Sequence, residues 1–113
     1  MKKKLNHSAM SDEALGLIAA RFKILSEPMR LKLIISLEEG EKNVTQLVQA
    51  TGSTQANISR HLGSLTDAGI LARRKEGLMV YYFIADQSIF DLCESVCGSL
   101  QKRLEATAKV FRG

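Results

Sequence analysis

Apolar residues recur along most of this chain at spacings of three and four, the period of a helix with one buried face. Leu15, Ile18, Ala19, Phe22 and Leu25 form the first stripe. They follow Ser11-Asp12-Glu13, a capping serine and two acids that suit the positive end of a helix dipole. Ser26-Glu27-Pro28 restarts the chain, with Pro28 at home in a first helical turn. The next stripe is Leu31, Ile34, Ile35 and Leu37, up to a stop at Gly40. A short helix is predicted from Asn43-Val44-Thr45 through Ala50, closed by Gly52. Ser53 or Thr54 caps the following helix, which runs to Ala68 on the apolar positions Ile58, Leu62 and Leu65.

The period then changes. Ile70-Leu71-Ala72 leads into the basic segment Arg73-Arg74-Lys75-Glu76-Gly77, and Leu78 to Ile84 is rich in β-branched and aromatic residues. Two short strands around a basic turn predict a β-hairpin, although Glu-Gly is a weaker turn signal than Asn-Gly. Asp86 or Ser88 caps a long last helix to Phe111, with the stripe Ile89, Leu92/Cys93, Val96/Cys97, Leu100, Leu104 and Phe111. Residues 1–11 read as a mobile basic tail and 12–113 as one domain that both binds DNA and dimerises.

The pair 44–51 and 54–68, joined by the tight Thr51-Gly52-Ser53 turn, is a helix-turn-helix pattern, and with the basic hairpin after it a winged helix. The second helix has the chemistry of a recognition helix. With Ile58 inward, Gln55, Asn57, Ser59, Arg60 and His61 are expected outward. Gln and Asn pair with adenine, and Arg with guanine. Ser53, Thr54 and Ser59 suit phosphate oxygens near the helix N-terminus. Arg73, Arg74 and Lys75 offer charge to the DNA backbone or a minor groove.

Composition supports this in a limited way. A length of 113 residues with 45% apolar content fits one modest core, and a net charge of +4 is compatible with a polyanionic partner. No run of eighteen apolar residues exists, so no membrane partner is expected and the chain reads as cytoplasmic. The last helix would be roughly 36 Å long, and its stripe exceeds what one small wing domain covers. Pairing with a twofold copy would bury it and set two recognition helices about one DNA turn apart.

Leu25 to Leu33, Ser53 to Leu62, Leu65, Ala68-Gly69-Ile70-Leu71 and Gly77 with Tyr81-Tyr82 together resemble the ArsR-type family of bacterial repressors, over residues 14–100. The resemblance implies a mainly helical fold of order α-α-α-α-β-β-α, a homodimer through the first and last helices, and operator binding that an inducer abolishes. It also implies places to look for metal sites. Where a Cys-Val-Cys thiolate site would stand, this chain has Asn43-Val44-Thr45. Of an Asp, His, His, Glu set on the last helix only Asp86 matches, with Ser88, Ser99 and Lys102 elsewhere.

What remains is Cys93 and Cys97, the chain's two cysteines, four apart on one helix face. Two such thiolates suit a soft ion such as trivalent arsenic or antimony, with a third ligand from water, an exogenous thiol or the other subunit. They equally suit oxidation, a polysulfide bridge or a link across the dimer. No cofactor is required. The expected function is a repressor of a palindromic operator, released at Cys93/Cys97; the alternative is a constitutive DNA-binding module whose cysteines only pack. No histidine or acid is placed to activate either thiol and no glycine-rich phosphate loop appears, so an enzyme is not expected.

Overall fold

The computed structural model describes residues 6–112. The lysines of the expected tail lie outside that range. Within the tail, His7–Ala9 forms a single 3-10 turn. Five helices and three strands follow: α1 (Asp12–Ile24), α2 (Pro28–Ser36), β1 (Lys42–Asn43), α3 (Val44–Thr51), α4 (Gln55–Asp67), β2 (Leu71–Glu76), β3 (Met79–Ile84) and α5 (Ser88–Arg112). The starts of α1 to α4 fall where the caps predict, whereas α2 ends at Ser36, short of the expected stop at Gly40. The Ser11 hydroxyl accepts from the Ala14 N–H, Pro28 occupies the first turn of α2, and Asn43 and Gln46 form a reciprocal capping box on α3. Gly52 turns α3 into α4 at a φ of 73°, a left-handed conformation that glycine adopts without a Cβ penalty.

The core lies where α2, α3 and α4 meet the base of the hairpin. Leu33, Ile34, Leu47, Ile58, Leu62, Leu65 and Ile70 are fully enclosed there, each worth about 1.5–3 kcal/mol of burial. On α2 the buried face is Arg30, Leu33 and Ile34, continued by Leu37. Sequence periodicity had put Leu31 and Ile35 inside; Leu31 is half-buried and Ile35 is 60% exposed. The face is rotated by one position because a charged residue, Arg30, takes a core place.

The sheet has the order β1-β3-β2, all antiparallel. The short β1 was not predicted: two residues carry no readable period. It pairs Lys42 with Tyr82 and Asn43 with Tyr81, which ties the root of the hairpin to the start of α3. The hairpin turn is Gly77-Leu78, flanked by the pair Glu76 and Met79, so Leu78 leaves the strand where it was expected. A positive φ of 60° at Gly77 alone fits the hairpin turn that needs glycine first.

The two outer helices are different. α1 buries no residue and leaves Leu15, Leu17 and Phe22 exposed. The 25-residue α5 buries Ile89 near its start, then exposes Val96, Leu100, Leu104 and Val110. The side chain of Phe111, the last member of the expected stripe, lies outside the description.

Candidate nucleic-acid interface

Helix α4 turns Ile58, His61, Leu62 and Leu65 inward, at positions i, i+3, i+4 and i+7. Gln55, Ser59 and Arg60 are exposed, with Asn57 half-buried beside them. Several of these groups are already ordered. The Thr54 hydroxyl accepts from the Asn57 N–H at 3.2 Å, capping the helix. The Asn57 amide donates to Ser53 Oγ at 2.8 Å, and Arg60 Nη2 donates to Asn57 Oδ1 at 3.0 Å. Acting as acceptors leaves Ser53 and Thr54 their hydroxyl protons, free to donate to phosphate oxygens beside the positive end of the helix. Arg60 keeps Nε, Nη1 and the second Nη2 hydrogen unengaged by Asn57. Among the described residues, Gln55 and Ser59 make no side-chain hydrogen bond.

His61 is a correction. It was expected to face out with Arg60, but it is 3% exposed. Arg30 Nε donates to His61 Nδ1 at 3.0 Å, and Arg30 is itself fixed by Glu27 at 2.9 Å and by the Ile24 carbonyl at 3.2 Å. That bond requires an unprotonated Nδ1, which assigns the ring proton to Nε2. Arg60 Nη2, 3.2 Å from Nε2, then meets another donor and is held by Asn57 alone. Burial pushes the His61 pKa below 6.5, and the nearby Arg60 and Arg30 charges push the same way while Glu27 opposes them.

The sign of the resulting pH dependence follows. The unfolded chain takes up the proton first as pH falls, so this site's stability is complete above 6.5 and is lost as pH drops through and below it. We expect the thermal midpoint to fall between about pH 7.5 and about pH 5.5, and the fall to be smaller in His61→Gln. Equal pH dependence in both proteins would refute the buried neutral imidazole.

Arg73, Arg74 and Lys75 all lie exposed on β2. The guanidinium of Arg74 is already engaged by Glu41 and Glu76, while among the described residues Arg73 and Lys75 make no ion pair. On α5, Cys93 is half-buried and Cys97 exposed, both as free thiols one turn apart. Among the described residues no group of three or more His, Cys, Asp or Glu side chains could hold a metal ion, and no helix is long and apolar enough to cross a membrane.

Residues 27–73 match the family model of bacterial regulatory proteins of the arsR family. Over 79 residues the chain is 33% identical to a biofilm growth-associated repressor of Xylella fastidiosa, covering 70% of this chain and 69% of that protein. The chain belongs to the arsR family.

An arsenical resistance operon repressor of Escherichia coli is 44% identical over 62 residues, 54% of this chain and 53% of that protein. The chain thus spans about half to two thirds of the length of these curated relatives. The arsR-family fold is equally clear in three dimensions. The homodimeric winged helix-turn-helix DNA-binding domain of a Mycobacterium bovis protein superposes with a TM-score of 0.72 at 28% identity, covering 94% of this chain and 95% of that one. Family and fold are those of DNA-binding transcriptional regulators, not of enzymes. Against this arsR frame, sequence reasoning missed Arg30, Glu27 and Glu41. Arg30 had a readable signal: it lies three and four residues before Leu33 and Ile34, on their face.

Proposed function

We propose that the chain is a homodimeric transcriptional repressor that binds a palindromic operator in double-stranded DNA through α4 and the wing. It leaves the operator when a thiol-reactive inducer engages Cys93 and Cys97. The observation that carries this reading is the outward face of α4, where Ser53, Thr54, Gln55, Asn57, Ser59 and Arg60 stand together at a capped helix start. Preordered donors of this kind lose little freedom on binding, and phosphate contacts at the helix start would set the register in which Gln55, Asn57 and Arg60 read bases.

The bare stripes of α1 and α5 support a twofold partner, since exposed Leu15, Phe22, Leu100 and Leu104 need cover. The Mycobacterium bovis relative is homodimeric. Cys93 and Cys97 lie on the helix that such a dimer would share. Two thiols fit a soft ion, an arsenical above all given the relative in arsenical resistance, with the remaining ligand drawn from outside the pair. A reactive sulfur species or an oxidant would use the same two sulfurs. Arg21 offers a route from that helix to the reading head. It donates to the Ala68 carbonyl at the end of α4 at 3.0 Å and lies 3.6 Å from Asp86, just before α5.

The test is a mobility shift on the DNA upstream of the chain's own gene, with arsenite, zinc or polysulfide added. Release requires the inducer to favour the non-binding dimer, and a loss of about 10- to 100-fold needs about 1.4–2.7 kcal/mol of differential affinity. Cys93→Ser with Cys97→Ser is expected to keep full DNA binding and lose the response. If the double variant responds like the wild type, the sensor assignment is wrong; if no inducer releases the wild type, the constitutive reading takes its place.

A further inference from the structure

Three consecutive cations on a wing invite the reading that each meets a phosphate. The middle one is built differently. Arg74 Nε donates to Glu41 Oε2 at 2.7 Å and its Nη2 to Oε1 of the same carboxylate, a bidentate fork. Its Nη1 donates to Glu76 Oε2 at 3.0 Å, and the guanidinium lies 4.8 Å from the centre of the Tyr81 ring. The register explains the reach. Arg74 is on β2, opposite Tyr81 on the central strand β3, and Tyr81 is in turn opposite Asn43 on β1. Glu41 stands just before β1. Arg74 therefore crosses the face of the whole sheet, over an aromatic ring, to fasten its far edge.

We infer that Arg74 is a positioning residue for DNA binding, a strut that locks the wing to the β1 edge through Glu41, and that Arg73 and Lys75 are the wing cations that meet phosphate. This rests on the DNA-binding reading given above. Two carboxylates around one guanidinium leave the cluster with a net charge of −1, so it repels a phosphate unless Arg74 first abandons its fork. The Arg74 guanidinium holds the Glu41 carboxyl below the usual carboxylate range, in keeping with a settled pair. A lone exposed ion pair contributes little, but a bidentate pair within a network, seated on an aromatic face, is the geometry that does fix a direction. The hairpin needs such a tie, since its outer half, Arg73 to Met79, is exposed throughout.

The decisive variant is Glu41→Gln, because two physical accounts predict opposite signs. Removing a negative charge beside the DNA should tighten binding if charge alone matters. Loosening the strut should weaken it, by about three- to tenfold. Binding of the full chain to the duplex upstream of its own gene would be measured across a salt series. Glu41→Gln and Arg74→Gln are expected to bind more weakly with the wild-type salt slope, whereas Arg73→Gln, which removes one phosphate contact in each half-site, lowers the slope by about 1.8. Arg74→Lys keeps the charge but not the fork, and is expected to lose as much affinity as Arg74→Gln.

Equal or tighter binding by Glu41→Gln, a slope lowered by about 1.8 in Arg74→Gln, or near-wild-type binding by Arg74→Lys would overturn the strut. A measurement without DNA separates this from failure of the DNA-binding reading. Wing amides are expected to exchange hydrogen several-fold faster in Arg74→Lys than in the wild type, with core amides of α4 unchanged, and unchanged wing exchange refutes the strut even if no duplex binds.

Discussion

Arg60→Ala is expected to weaken operator binding by about 1–3 kcal/mol per half-site and to relax specificity at one base pair in each. The structure gives the reason. Arg60 is exposed on α4, and one Nη2 hydrogen is held by Asn57 at 3.0 Å, which leaves the second Nη2 hydrogen and the N–H beside it as a fork. A fork steadied by its neighbour reaches guanine O6 and N7 with less ordering cost than a free arginine. In a twofold dimer the loss counts once per half-site. Competition with single-base variants of the operator measures it: the wild type should discriminate at that position and Arg60→Ala should not. Unchanged affinity together with unchanged discrimination would remove α4 from the reading role.

The second large effect concerns the bare helix. Leu100→Glu with Leu104→Glu is expected to yield a folded monomer that binds the operator at least a hundredfold more weakly. Both leucines are exposed, at 55% and 68%, and neither belongs to the core, so the fold should survive. In a dimer that buries this stripe, four leucines already partly covered in each protomer are lost at once, about 4–7 kcal/mol of apolar burial. A micromolar dimer has only about 8 kcal/mol in total. Sedimentation reads the mass, and circular dichroism reads the retained helix. A double variant that stays dimeric at micromolar concentration would place the interface elsewhere.

Much of the candidate site was legible in the chain. The caps Ser11, Pro28, Asn43 and Thr54 and the stop at Gly52 mark helix ends by local chemistry, and local chemistry survives into the fold. Asn57, Ser59 and Arg60 lie off the face set by Ile58 and Leu62, because a helix repeats its faces every three and four residues, whereas Gln55, three before Ile58, is exposed in the first turn. The wing was found from its change of period and its basic cluster. The free thiols at Cys93 and Cys97 stand on one helix face, as their spacing requires.

The errors share one cause. Arg30 and His61 each look like surface residues when their own helices are read alone. Each occupies a core position only because the other faces it across the α2–α4 contact at 3.0 Å, so that neither is buried unpaired. A distant partner also matters at the wing, where Glu41, 33 residues earlier, holds Arg74. Sequence by itself determined the helices, the turn between α3 and α4, the hairpin and most of the exposed polar face of α4, because caps, turns and periodicity act over a few neighbouring residues. Only the tertiary structure decided which polar groups are used up inside the molecule, because burial of a polar or charged group is settled by partners distant in sequence that the local pattern does not contain.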